Sequence, residues 1–220
     1  MSKLRMKYGR DDLAKYVSHL DFMRMITRAI RRAGLPLSYS QGFNPHPVMT
    51  VAVPLSVGMS SEGEYMEISF DKEFNNLDEL KNRINASLPK GFFILEIKDP
   101  IRSQLDGLKY ISMGEYRVTV SCDKANPGFE KKFLALSNIM MEKKTKSGIK
   151  DTDIRPMIRD LNVLESNGQY VTLYMKLAAG AVNLKPQLVV DALNRYADGF
   201  EGEYVSSHRT ALLAEEKNCF

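Results

Sequence analysis

The chain has 220 residues, of which 44% are hydrophobic and 26% charged, with a net charge of +4, ordinary values for a globular protein. No apolar run approaches the roughly 20 residues needed to cross a bilayer. The opening MSKLRMKYGRDD lacks the apolar core of a secretory signal, so the expectation is a cytoplasmic protein with no membrane partner. Only two cysteines, Cys122 and Cys219, are present, which excludes a disulfide framework, a thiolate-only zinc site and a self-contained iron–sulfur cluster.

Charge is unevenly placed. Residues 1–50 carry nine Lys/Arg against three acids, whereas residues 51–100 carry five basic and nine acidic residues. A basic opening beside an acidic stretch points to a local anionic partner or to a mixed solvated surface.

In chain order, Lys3 to Tyr8 alternates basic and apolar residues, the period of a half-buried strand. Ser18 followed by Asp21 resembles a capping box with Asp in place of Glu, and Gly34-Leu35-Pro36 is a stop signal. Between them His19, Met23, Ile26, Ile30 and Ala33 share one face of an amphipathic helix, and Arg24, Arg28, Arg31 and Arg32 lie nearly opposite. Leu37–Ser40 and Val48–Val53 read as strand pieces around a turn, Tyr65–Phe70 as a strand, Asn76–Leu88 as a helix and Phe92–Ile97 as a strand. That order is β-α-β-β-α-β, the ferredoxin-like motif.

Asp99–Gly107 is a polar connector punctuated by Pro and Gly. Beyond it the order recurs: strand Glu115–Ser121, helix Pro127–Leu136, strand pieces in Ile139–Lys144 and Asp153–Val163, strand Tyr170–Leu177, helix Lys185–Ala197 and strand Glu203–Leu213. Pro156 marks an edge or a break. The expected architecture is α+β, with two tandem ferredoxin-like halves at residues 1–99 and 108–220, each an antiparallel sheet with helices on one face.

Ser18–Pro47 concentrates two of the three histidines and four arginines. Arg24, Arg28 and Arg31 at i, i+4 and i+7 form a line able to meet successive phosphates, or else a solvated face with Asp21 as partner. In the turn Ser40-Gln41-Gly42-Phe43-Asn44-Pro45-His46-Pro47, Gly42 permits a positive φ and two prolines fix the backbone around His46. Such a loop can offer Phe43 for stacking and His46 as a donor, or it can be a structural turn whose Phe plugs the core. His46 is the candidate for proton transfer, since imidazole titrates near neutral pH. His19 on the apolar face reads as a hydrogen-bonded core or boundary residue, and a His19, Asp21, His46 metal site lacks tight ligand spacing. Lys143, Lys144, Lys146 and Lys150 make a basic loop, and Ser206–Thr210 carries the third histidine, His208. There is no P-loop, GxSxG, HExxH or dinucleotide fingerprint.

The order KYVSHLDFMRMITRAIRRAGLPLSYSQGFNPHP, followed by VPLSVG and EGEYMEI, closely resembles the radical SAM-linked protein family. This is a domain of unknown function fused to, or encoded beside, a radical SAM protein of the B12-binding type. The specific part of the resemblance is Ser18–Glu67, with weaker echoes at Asp153–Leu161 and His208–Ala214. Val48 departs from it, standing where many relatives have a basic or polar residue. The resemblance carries over no catalytic residues. It implies a partner that bears the iron–sulfur cluster and S-adenosylmethionine, with no cofactor in this chain, and its usual gene neighbours point towards RNA. Three functions stay open: an accessory module that binds RNA or a ribonucleoprotein for that partner, a docking subunit without RNA, and a metal-independent endoribonuclease using His46 with Tyr39 or His19. The last has a fold-level analogy in the CRISPR repeat-processing endoribonucleases. The residues proposed to touch substrate are Arg24, Arg28, Arg31, Arg32, Ser40, Gln41, Phe43, Asn44 and His46.

Overall fold

A computed structural model describes residues 2–99, 108–145, 148–214 and 217–218. Nearly all of the expected connector, Lys146 of the basic loop and Cys219 lie outside the described residues. The chain divides into two units, Met1–Ile111 together with Ala211–Phe220, and Ser112–Thr210.

In the first unit, the alternation at Lys3–Tyr8 becomes β1 (Ser2–Arg10). The even positions Leu4, Met6 and Tyr8 enter the core as expected, but the other side of the strand is covered too. Arg5 is only 2% exposed and stands directly opposite Glu67 on β3 (Ser60–Phe70). Its Nη2 and Nε donate to Glu67 Oε1 at 2.7 and 3.1 Å, and Lys3 pairs with the same carboxylate. A charged position in an alternating strand is therefore compatible with burial when its cross-strand partner neutralises it.

Helix α1 (His19–Arg32) begins at the expected N-cap, Ser18, with the first of the two capping-box bonds. Ser18 Oγ accepts the Asp21 amide at 3.2 Å and donates to Asp21 Oδ2 at 2.7 Å. It ends in a Schellman arrangement: Gly34, at φ 67, donates to Arg31 O, and Leu35 donates to Ile30 O. The core face consists of Phe22, Ile26, Ala29 and Ile30, with Phe22 stacked on Tyr8 at 4.9 Å between ring centroids. His19 is exposed rather than buried, which corrects the expected apolar face by one residue at its start. The helix phase is set by Phe22, whose ring removes far more apolar area from water than an imidazole does.

Short β2 (Met49–Val51) pairs antiparallel with Met66–Ile68 of β3, and isolated bridges join Leu37 to Phe70 and Tyr39 to Pro47. Helix α2 (Leu77–Asn85) is capped by the Asn76 side chain and precedes β4 (Phe92–Lys98), which pairs antiparallel with β1. The order is β4-β1-β3, with β2 also on β3. Both helices contribute to one cluster with the sheet, through Ile26 and Ile30 of α1 and Leu80 and Ile84 of α2.

The second unit contains most of β5 (Ile111–Ala125), α3 (Phe129–Leu134), β6 (Met140–Thr145), β7 (Gly148–Asp153), β8 (Ile158–Ser166), β9 (Tyr170–Ala178), α4 (Pro186–Tyr196) and most of β10 (Phe200–Ala214). Its main strands follow the order β10-β5-β9-β8, with β5·β9 and β8·β9 antiparallel. Pro156 sits in a single 3-10 turn between β7 and β8, so the break read from the sequence is where the chain turns. The stretch read as a basic loop is instead a hairpin in which Lys143 faces Lys150. Its first arm coincides with the strand piece expected in Ile139–Lys144, and only β7, with its exposed residues, has no counterpart in the sequence pattern.

The last residues of β10, from Ala211, belong to the first unit, together with β11 (Lys217–Asn218), which pairs with them. The sequence reading had placed everything after residue 108 in the second half. Nothing in the pattern Phe200–Ala214 marks the change, because it is one continuous strand. The protein is thus a mixed α+β chain in which sheets dominate and the helices are few and short. Among the described residues no helix is long and apolar enough to cross a membrane.

Candidate functional site

Beside α1 in the first unit lies a cavity of about 510 Å³. Its rim carries Arg24, Arg28, Arg31 and His46. Its floor is formed by Met23 and Thr27 of α1, Pro47 at the end of the turn and Met49 of β2. The helix phase explains the arrangement: Met23 and Thr27, one turn apart, lie between the buried Phe22–Ile26 side and the exposed Arg24–Arg28 side.

The arginines differ in how they are held. Arg24 Nη1 lies 3.4 Å from Asp21 Oδ1, an exposed i,i+3 pair worth at most about 1 kcal/mol. Arg28 Nε donates only to the Arg24 carbonyl of its own helix, at 3.3 Å. Arg31 donates through Nε (2.9 Å) and Nη2 to the Tyr39 hydroxyl, which ties the last turn of α1 to the strand piece that starts the turn. Arg32 is separate: its Nη2 donates to Ser87 O at 2.7 Å, beyond α2, and it does not line the cavity. Neighbouring helix positions differ by about 100° (3.6 residues per turn), so Arg32 departs from the stripe that Arg31 completes.

The turn closes on itself. Ser40 N–H donates to His46 O (2.9 Å), His46 N–H donates to Ser40 Oγ (3.1 Å), and Val48 N–H donates to Ser38 O (2.9 Å). His46 Nδ1 lies 2.9 Å from Ser40 Oγ. The ring is thus anchored through Nδ1, which also lies 3.5 Å from Asn44 O, and Nε2 is the nitrogen not so held. Gly42 has φ 119, the positive value anticipated for it. Gln41, Phe43 and Asn44 are exposed at the tip and do not line the cavity. Phe43 is fully solvent-exposed, so it plugs no core.

Of the residues singled out from the sequence, the cavity therefore joins Arg24, Arg28, Arg31 and His46, with Ser40 bracing the histidine. It leaves aside Arg32, Gln41, Phe43 and Asn44. The floor residues Met23, Thr27 and Met49 were missed; the two helical ones were visible in principle as a boundary stripe at i, i+4. Among the described residues no group of three His, Cys, Asp or Glu side chains could hold a metal, and His19, Asp21 and His46 do not assemble into one. Cys122 is buried, and burial pushes its thiol up from the ordinary value. In the 206–210 stretch Ser207 and Arg209 are buried, and Ser207 Oγ lies 2.6 Å from the Tyr204 hydroxyl, which gives this stretch a role within the fold.

A family model described as an uncharacterized protein conserved in bacteria (DUF2344) matches residues 3–186. The chain belongs to DUF2344. No curated protein matches this DUF2344 chain. Among solved structures, a chain from the crystal structure of a Cbf5-Nop10-Gar1 complex aligns over 95% of this chain and 48% of its own length, with TM-score 0.55 and 8% identity. A chain of the archaeal box H/ACA sRNP Nop10-Cbf5 complex aligns over 94% of this chain and 46% of its own, with TM-score 0.49 and 7% identity. A chain from an H/ACA RNP bound to a substrate RNA containing 2'-deoxyuridine aligns over 86% of this chain and 43% of its own, with TM-score 0.46 and 8% identity. This DUF2344 chain thus spans about half the length of the structures it resembles, and the first likeness concerns fold alone.

Proposed function

We propose that this chain is an accessory module that binds RNA or a ribonucleoprotein and presents it to a separate radical SAM protein. The observation that carries the reading is the cavity, which sets three arginines and a histidine around an apolar floor with no acidic residue in its lining. Arginines at successive turns suit phosphates, and an apolar floor suits an unpaired base. The radical SAM partner follows from the resemblance of Ser18–Glu67, and the iron–sulfur cluster and S-adenosylmethionine belong to that partner. Chemistry is assigned to the partner because the cavity lining sets no carboxylate, lysine, tyrosine or cysteine beside His46 to share a proton transfer. We also read each unit as ferredoxin-like. The order β4-β1-β3 with β2 beyond, crossed by α1 and α2, supports this for the first, and β10-β5-β9-β8 supports it for the second. The RNA named with one structural neighbour belongs to that neighbour.

The test is RNA binding followed by fluorescence anisotropy against salt. Two to three phosphate contacts to a single strand predict an affinity loss of roughly 7- to 20-fold between 50 and 200 mM salt. Replacing Arg24, Arg28 and Arg31 together by Glu should remove that dependence. Salt-independent binding, or binding indifferent to the triple change, refutes the reading.

One observation favours docking on a protein instead. Leu13, Tyr16 and Leu20 are strongly exposed around the start of α1, and Leu20 stands one turn before Arg24 on the same side. Co-purification of a radical SAM protein, lost on Leu20→Glu and without RNA in the complex, would select this second reading.

A further inference from the structure

The geometry points to a narrower ligand than RNA in general: we infer that the cavity takes a single unpaired nucleobase, with Arg24 and Arg28 on the flanking phosphates. This rests on the RNA reading above and adds what form of RNA is recognised. Three features carry it.

The first is shape. At about 510 Å³ the cavity falls in the ~300–1,000 Å³ range of small-ligand sites. In a duplex the bases are stacked inward and the phosphates are outermost, so a duplex can touch the arginine rim but cannot lower a base to the floor. A single-stranded or bulged nucleotide can do both.

The second is the chemistry of the floor. Met23, Met49 and Pro47 supply polarisable or flat apolar surface for a π-face. The polar atom beside them is already engaged: Thr27 Oγ1 donates to Met23 O at 2.8 Å and lies 3.9 Å from Met49 Sδ. The floor therefore presents no strong donor or carboxylate that a base would have to match, and contact with it is by stacking.

The third is the division of labour on the rim. Arg24 and Arg28 hold only a weak exposed pair and a backbone carbonyl, so both can turn to phosphates. Arg31 is fixed on Tyr39 and shapes the wall. His46 is held through Nδ1 by Ser40, which leaves Nε2 to meet a polar atom on a base edge.

The experiment uses the full chain and four RNAs of one sequence: single strand, perfect duplex, duplex with one bulged nucleotide, and single strand with abasic positions. Anisotropy should rank the single strand and the bulged duplex roughly tenfold tighter than the perfect duplex or the abasic strand, the scale set by one stacked base. Thr27→Phe, which fills the cavity but keeps the arginines, should reduce the single strand to the abasic level; Met49→Ala should move it part of the way. The abasic arm needs no variant and decides the matter even if Thr27→Phe does not fold. Equal binding of all four RNAs overturns the base-pocket inference while leaving the RNA reading in place. Failure to bind any of them overturns both.

Discussion

The two longest helices, α1 and α4, do the same structural work and dispose of their polar residues differently. Each buries an apolar stripe, Phe22, Ile26 and Ile30 in one and Val189, Val190 and Leu193 in the other. On α4 polar residues are bound into the fold: Asn194 exchanges two hydrogen bonds with the backbone of Gly202, at 2.7 and 2.9 Å, and the Tyr196 hydroxyl donates to Met140 O. On α1 the arginine side looks outward, held by one exposed carboxylate, one helix carbonyl and one phenol. The cavities beside them differ in the same sense. The one at the start of α4 is larger, about 760 Å³, but Glu142 and Asp191 stand among Lys143, Lys144 and Lys185. The one beside α1 has three arginines and a histidine on its rim and no acidic residue in its lining. Polar groups that the fold has not already engaged, rather than cavity size, distinguish the candidate site from scaffold.

This contrast can be broken from both sides. The largest effect should follow Phe22→Ala, which removes the ring stacked on Tyr8 and should cost about 3–5 kcal/mol in denaturant unfolding. Next comes Glu67→Gln, which takes the carboxylate away from the buried Arg5 and should cost about 3 kcal/mol. Burial pushes the Glu67 carboxyl up, but bonds and charges from Lys3 and Arg5 outweigh it and hold the group below its ordinary 4.5. Its contribution is therefore complete above that value and disappears as pH falls through the lower folded value. Acid titrations of wild type and Glu67→Gln should differ in stability above that window and converge below it.

Smaller in free energy but sharper in meaning is a pair of charge changes. Arg24→Glu with Arg28→Glu should weaken single-stranded RNA binding by at least tenfold without moving the thermal midpoint. Lys143→Glu with Lys144→Glu, on the mixed-charge cavity, should leave RNA binding within twofold of wild type. If the second pair matters as much as the first, the distinction between the two cavities fails. Least disruptive is Ser40→Ala, expected to cost about 1 kcal/mol through the loosened turn. It should weaken binding of the single strand more than that of the abasic strand, because it frees His46 from its fixed orientation.

Helix α1 could be read from the chain because its signals are local: Ser18 and Asp21 start it, Gly34 ends it, and its faces repeat at helical spacing. The turn was equally visible through Gly42 and its two prolines. The cavity floor was not, because it depends on Pro47 and Met49 returning against α1, a tertiary event that no local period records. Arg5 was read as a solvent-facing position because alternation identifies a strand but not what covers its second face. Arg32 was grouped with the other arginines by proximity in sequence, although one residue is enough to turn it towards Ser87. Of the hairpin of β6 and β7 only the second arm was hidden, since Gly148–Asp153 shows no apolar alternation from which a strand is recognised.

The return of Ala211–Phe220 to the first unit has a consequence for synthesis. Translation proceeds from the N-terminus, so the unit that holds the candidate site begins first and receives the segment from Ala211 only after Ser112–Thr210 has been made. Throughout that interval Met1–Ile111 lacks its closing segment, and a nascent chain arrested before residue 211 carries the arginines and the turn without it.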